Sequence, residues 1–341
     1  MSETATNGQQ EEGSGEECSS SDKEGYADLY FPLAKVPKEY EPFNLQIAGH
    51  HFMKGFDERL GILRDKTTGR LLKPFQVSPR GERERDLYAT VAHCRHKKDA
   101  NNQQEKDEDS MLLELSFLTA QYYGSLSLPV SNVRKHDFII MEDLTSHFSR
   151  PCIMDVKIGF RTWDPDADER KRVYEINKYP HAKVLGFRLL GMMVYSVMND
   201  KYEHRDKHWG KKLPASEISP AMDFFFARAE RDPALVLRVL DCIIAKVRRI
   251  QAWFQRQRRF LFYSSSLLIL YEGDQGVTLD AQQQLAEVKM IDFTHVFPSQ
   301  GELDQNYLGG LRNFLDVLCK YRTGLAQVGK NEPATASLSS K

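Results

Sequence analysis

The hydrophobic and polar positions of the chain alternate between short strand-like runs and stretches at helical spacing. Asn44 to Phe52 (NLQIAGHHF) predicts a strand. Ile62 to Phe75 (ILRDKTTGRLLKPF) predicts two strands joined by a polar turn ending in Gly69, which puts Lys73 on a strand. Arg80 to Cys94 mixes charged and apolar residues at helical spacing, and a second helix is expected around Met111 to Tyr123. Leu126 to Val133 and the apolar run Phe138 to Met141 follow, ending at Glu142 and Asp143; a strand breaking into an acidic connector suggests a hinge. Beyond it, Cys152 to Ile158 predicts a strand, Ala167 to Lys178 a helix, and Val184 to Val197 another strand. Pro233 to Phe260 predicts a long amphipathic helix rich in Arg and Lys, Ser266 to Tyr271 and Glu287 to Phe293 two short strands, and Leu303 to Tyr321 a final helix. Strands with one helix, followed by a larger mixed segment, form an α+β pattern that can enclose a nucleotide between two lobes.

The flanks differ in character. Residues 1 to about 25 are Gly, Ser, Glu and Gln with almost no apolar residue, so a disordered tail is expected there. His96 to Asp109 (HKKDANNQQEKDED) predicts an exposed loop, and the end after Val328 is expected to fray as a flexible tail over 328–341. One catalytic unit over about 40–325 is the simplest organisation, its first lobe ending near 141 and its second running over about 145–325.

Composition narrows the partners. The formal net charge is −1, which gives the whole chain no attraction for nucleic acid, so affinity for a polyanion must be local. Five cysteines, odd in number and widely scattered, suggest neither a disulfide framework nor a zinc site. No apolar run approaches the roughly 20 residues that span a bilayer, and the start lacks a signal peptide's basic end and apolar segment. An intracellular monomer is expected, in nucleus or cytoplasm; the basic cluster Cys94 to Lys98 reads as a solvated loop edge rather than a nuclear address.

Phosphoryl transfer from ATP needs cations on the phosphates, a carboxylate for magnesium, and a group that orients the attacking hydroxyl. Strand-like segments supply candidates: Lys73 for the phosphates, Asp292 for the metal, Asp155 with Lys157 at the reacting centre. Each has a plainer alternative, a solvated face for Lys73 and a salt bridge to Lys157 for Asp155. His204-Arg205-Asp206 spells a protein-kinase triplet, but no Asn follows at the required spacing and Asp292-Phe293 is followed by Thr294, so the match is a coincidence. Neither a P-loop nor a dinucleotide-binding glycine fingerprint is present.

Pro151 to Gly159 (PCIMDVKIG) matches the P-x-x-x-D-x-K-x-G signature of the inositol polyphosphate kinase family, and Ser265 to Leu268 followed by Ile291-Asp292-Phe293 matches its other two hallmarks in order. The resemblance extends upstream through Gln46 to His50, Lys73, Arg80-Gly81 and Glu142 to Thr145, and downstream to Lys178-Tyr179-Pro180 and Trp253-Phe254. It implies a two-lobed inositol polyphosphate kinase fold, protein-kinase-like or ATP-grasp-like, with a short helical inositol-phosphate-binding insert at about 164–182. That short insert resembles the family's multikinase branch more than its trisphosphate 3-kinases, with the hexakisphosphate kinases as nearest competitor.

By that resemblance ATP is the co-substrate and Mg2+, or Mn2+, the cofactor. Lys73 meets ATP phosphates and is anchored by Glu84; Glu142, Asp143 and Leu144 lie at the adenine hinge; Asp155 is the essential aspartate by ribose and reaction centre; Lys157 meets substrate and transferred phosphate; and Asp292 binds the metal, assisted by the Ser265-Ser266 turn. Arg80, Lys171 and His295 match positions that contact inositol phosphates. The implied activity phosphorylates inositol tris- and tetrakisphosphates toward pentakisphosphate, with phosphatidylinositol bisphosphate a further acceptor. A scaffolding protein that keeps the fold is the alternative from another class. One departure concerns the substrate: multikinases commonly present glutamines from the helix after Lys171, where this chain has Val173, Tyr174 and Glu175.

Overall fold

The structure is a computed structural model and describes residues 36–47, 60–95, 103–129, 135–276 and 285–331. Two antiparallel sheets organise it. The first takes the order β1 (Tyr40–Pro42), β2 (Leu63–Asp65), β3 (Leu71–Pro74), β5 (Lys135–Met141), β4 (Tyr122–Pro129). Two helices, α1 (Arg80–Cys94) and α2 (Gln103–Leu118), fall between β3 and β4 in the chain. The second sheet takes the order β11 (Ala286–Ile291), β10 (Ser266–Glu272), β6 (Pro151–Ile158), β7 (Phe187–Ser196), β8 (Lys201–Arg205). Residues 142–150 are the link from β5 to β6 and hence between the sheets, and they include a short 3-10 turn, Leu144–His147.

β6 lies at the centre of its sheet and is buried along nearly its whole length, which is why PCIMDVKI is apolar apart from Asp155 and Lys157. Its last residue hands over to Gly159 at φ +118, where a Cβ would come within 2.7 Å of the Asn306 side chain. Glycine alone lets the chain turn out of the sheet so close to α8 (Gln305–Asn331). The main core lies where α7 (Pro233–Arg256) and α8 pack on each other and over this sheet. In α7, Val236, Val239, Leu240, Ile243, Val247, Ile250 and Phe254 recur at helical spacing and are all buried. Asp232 caps α7, its carboxylate accepting the Ala234 N–H at 3.0 Å, and Pro233 occupies the first turn.

Several boundaries differ from the sequence reading, each for a local reason. The strand expected over Asn44 to Phe52 is a turn at 44–45 and irregular at 46–47, and the rest lies outside the described residues. The polar stretch expected as a loop over 96–109 begins α2 at Gln103, because Gln, Glu and Lys are good helix formers whatever their polarity. The same helix ends at Leu118, and Tyr122 opens a strand whose burial alternates residue by residue. At Gly186, φ +70, a short helix α4 (Ala182–Leu185) is capped before β7 begins. α7 stops at Arg256 because Gln257 turns extended and its side chain accepts the Arg259 and Phe260 N–H groups, both at 3.0 Å. Beyond it lies a small ribbon of β9 (Phe260–Phe262) and β12 (Val296–Pro298), which the sequence reading missed. α8 continues as helix to Asn331, past the expected fraying point; the residues after it, like the N-terminal 1–35, lie outside the described residues.

Candidate active site

A cavity of about 540 Å3 opens between the sheets. Leu71, Met141, Leu144, Ile153, Leu268 and Ile291 give it an apolar lining, and Lys73, Asp155 and Asp292 supply polar groups. On β3, successive side chains face opposite ways: Leu72 packs with Leu63 and Phe138, while Lys73 turns into the cavity. Its Nζ donates to Glu84 Oε1 on α1 at 2.8 Å and to Asp292 Oδ1 just past β11 at 2.5 Å. Burial works against the charge of Lys73, but Asp292 and Glu84 outweigh it and hold the ammonium protonated well above the ordinary lysine range. Glu84, wholly buried, also accepts the Phe293 N–H at 3.0 Å, so one carboxylate ties α1 to both sheets. Asp292 sits at φ +64, a left-handed backbone that Asp tolerates better than most residues and that turns its carboxylate back toward Lys73.

Asp155 and Lys157 share one face of β6. Asp155 is buried, its Oδ1 has no hydrogen-bond partner among the described residues, and burial with the Asp292 charge pushes its carboxyl up to about 7. Burial works against the charge of Asp292 as well, but Lys73 and Lys157 hold that carboxyl below the ordinary range. Two neighbouring carboxylates thus have their acidities driven apart, the arrangement that divides acid, base and metal-binding roles in a catalytic site. Lys157 is pushed down to about 8 by burial and by Arg188 opposite it on β7. Ser265 and Ser266 are fully buried where β10 begins, and Ser266 pairs with Lys157 in register.

Of the residues expected to meet a substrate, Arg80 opens α1 at the rim of the cavity, and both it and Lys157 lie near His295. Burial lowers the basicity of His295, the bond from its Nδ1 to Asp164 works the other way, and the nearby Arg80 and Lys157 charges lower it further. Arg80, Lys157 and His295 therefore converge, although they come from α1, β6 and the segment after β11. Lys171 stands apart from the cavity, half-exposed on α3 (Glu169–Lys178), with its Nζ 2.8 Å from Glu175. The carboxylate in place of a glutamine is already engaged: Lys171, Lys178 and the Thr162 hydroxyl all donate to it, and against its burial the two lysines hold it at about 2.

At the hinge, the Glu142 N–H donates to Gln121 O at 2.9 Å and so belongs to the strand ladder, while its side chain accepts from Gln121 N and meets His147. Asp143 lines the cavity, but its Oδ1 accepts from Thr145 N and Oγ1, so its carboxylate shapes the turn. The discounted triplet ends in Asp206, which caps the helix Lys207–Lys212 by accepting the His208 and Trp209 N–H groups and does not line the cavity. Arg188 was not singled out from the sequence; its one signal, a cation in an otherwise apolar strand FRLLGMMVYS, acquires meaning only once the register with β6 is known.

Known proteins resemble this chain in sequence and in fold. The family model for inositol polyphosphate kinase matches residues 138–319, more than half of the chain. Inositol polyphosphate multikinase of Homo sapiens is 34% identical over 297 residues, covering 85% of this chain and 64% of its own length. The Mus musculus multikinase is 36% identical over 244 residues, covering 71% of this chain and 56% of its own. The chain thus spans less than two thirds of these relatives. A solved structure of inositol phosphate multikinase Ipk2 from S. cerevisiae, in complex with ADP and Mn2+, superposes with a TM-score of 0.57 at 22% identity, covering 74% of this chain and 98% of that one, a likeness of fold. From these matches, the chain belongs to the inositol polyphosphate kinase family.

Proposed function

We propose that the protein transfers the terminal phosphoryl group of ATP to a hydroxyl of an inositol polyphosphate. The observation that carries this reading is the junction at which Lys73 of the first sheet meets Asp292 beyond the second at 2.5 Å, beside buried Asp155, on a cavity whose walls are mainly apolar. Apolar walls suit a purine, and the hinge backbone at Glu142 to Leu144 lines the same space. Lys73 has three donors and gives two to carboxylates, leaving one for a phosphate.

A divalent cation fits the carboxylate pair. Magnesium is bound through one or two carboxylates with substrate phosphates completing its shell, and the unpartnered Oδ1 of Asp155 beside ionised Asp292 provides such oxygens. When bound, the metal neutralises charge developing on the transferred group. Asp155 accepts a hydrogen bond from the attacking hydroxyl and orients it, a role suited to a carboxyl poised near neutrality. Lys157 lies on the same face and stabilises the migrating phosphoryl oxygens, while Arg80, His295 and Lys171 hold phosphates already on the ring.

Purified protein given ATP, magnesium and a panel of inositol phosphates, with products separated by chromatography, tests the reaction; no labelled product from any of them sinks it. Phosphatidylinositol bisphosphate in vesicles belongs in the same panel, because exposed Val173, Tyr174 and Ile176 leave α3 open to a surface. The roles of the two lysines separate kinetically. Lys157→Ala is expected to lower kcat by about a hundredfold, since it removes charge stabilisation specific to the transition state. Lys171→Ala is expected to raise the KM for the inositol phosphate by roughly tenfold and leave the KM for ATP alone. Equal small effects on every constant would remove both lysines from the substrate-binding and transfer roles.

A further inference from the structure

Arg188 and Lys157 are direct partners in the β6–β7 ladder. Opposed residues of an antiparallel pair project to the same face, so two cations stand side by side where like charges are destabilising. Burial sharpens the conflict: Arg188 is only 8% exposed, and each of the two loses basicity through burial, Lys157 also through Arg188. Among the described residues the Arg188 side chain forms no hydrogen bond and no ion pair, and its guanidinium lies over the ring of Tyr179, 5.7 Å away.

The groups around it account for the surplus. Asp155 on β6 and Glu175 on α3 are the carboxylates that favour its charge, with the phenols of Tyr174 and Tyr179 beyond them. Glu175 is already held by Lys171 and Lys178, and Asp155 faces the Asp292 carboxylate. Lys171, Lys178 and Arg188 therefore share one strongly ionised carboxylate, Glu175, while Lys157 beside them faces Asp292 and Asp155, which Lys73 and the burial of Asp155 already engage. Such an excess of half-buried positive charge does nothing for the fold, in which a leucine in register with apolar neighbours would serve better. It matches a ligand with several phosphates, and a guanidinium with free donors offers the planar fork that grips a phosphate by two hydrogen bonds.

We propose that Arg188 is a specificity-determining residue that, beside Lys157, takes a phosphate already present on the inositol ring, so that acceptors lacking that phosphate are discriminated against. The inference rests on the reading of the chain as an inositol polyphosphate kinase, and its test keeps the two apart. Binding of inositol 1,4,5-trisphosphate is measured calorimetrically without nucleotide, and initial rates are measured with ATP, for wild type, Arg188→Leu and Arg188→Lys, alongside thermal melting.

The expected result for Arg188→Leu is affinity for the trisphosphate weakened at least about tenfold, KM raised to match, KM for ATP unchanged, and a melting temperature equal to or above wild type because a buried like-charge contact is relieved. Arg188→Lys recovers part of the affinity. An unaltered affinity in Arg188→Leu, or a variant that melts early or does not fold, makes Arg188 a structural residue and overturns the proposal. Wild type that turns over inositol phosphates but is indifferent to Arg188 overturns the site and leaves the reaction standing. Arg188-dependent binding without turnover of any inositol phosphate overturns the reaction and leaves the site standing, and absence of binding by wild type overturns both.

Discussion

Asp292→Asn is expected to lower kcat by about 10²–10³-fold while the protein melts within a few degrees of wild type. Asparagine preserves shape and, like aspartate, tolerates the left-handed backbone recorded at this position, φ +64, so the fold has no steric reason to change. What changes is charge. Lys73 keeps its bond to Glu84 at 2.8 Å but loses the ionic partner that contributes most to its raised basicity, and the carboxylate pair that suits a cation is reduced to Asp155 alone. A magnesium titration checks the assignment. The variant should need far more metal, if it responds at all, and near-wild-type turnover at low magnesium would remove Asp292 from the metal-binding role. Asp292→Val, which asks a β-branched residue to adopt the same φ, should by contrast lose stability as well.

Asp292 was legible in the sequence as chemistry and not as geometry. Ile291-Asp292-Phe293 and PCIMDVKIG are short, local and ordered, and a strand holding a lone Asp and Lys among apolar residues declares that something compensates them. The helix Arg80–Cys94 was readable to the residue, because its apolar positions repeat over four turns. Three-residue strands such as Phe260–Phe262 and Val296–Pro298 carry no period at all, and they form only because they pair with each other across the chain. The same limit hid Arg188 and the fate of Glu175. One depends on which residue of β6 stands opposite, the other on two lysines of its own helix closing over a carboxylate that sequence pattern alone would turn to solvent. Motifs bring candidate groups to notice, whereas register and packing decide which of them stand together.

Glu84→Ala should cost about 2–4 kcal/mol of stability together with nearly all activity. The residue lies inside α1, where alanine is the better helix former, so helix propensity cannot be the cause of any loss. Its carboxylate is wholly buried and accepts from Lys73 Nζ at 2.8 Å and from Phe293 N at 3.0 Å. Alanine leaves that N–H without an acceptor, leaves Lys73 with Asp292 alone, and opens a hole at the meeting point of α1, β3 and the segment after β11. One turn on, Tyr88 still packs edge-on against Phe293 with ring centres 5.1 Å apart, so the helix should stay docked and the damage stay local. Glu84→Gln separates charge from shape, because its oxygen can accept both hydrogen bonds. That variant should keep most of the stability and lose activity through the altered field at Lys73 alone. Urea unfolding with an unchanged m-value measures the first effect, and ATP-dependent turnover the second. An alanine variant as stable as wild type would mean that the two lobes are held together elsewhere, and that Lys73 is positioned by Asp292 without help from the helix.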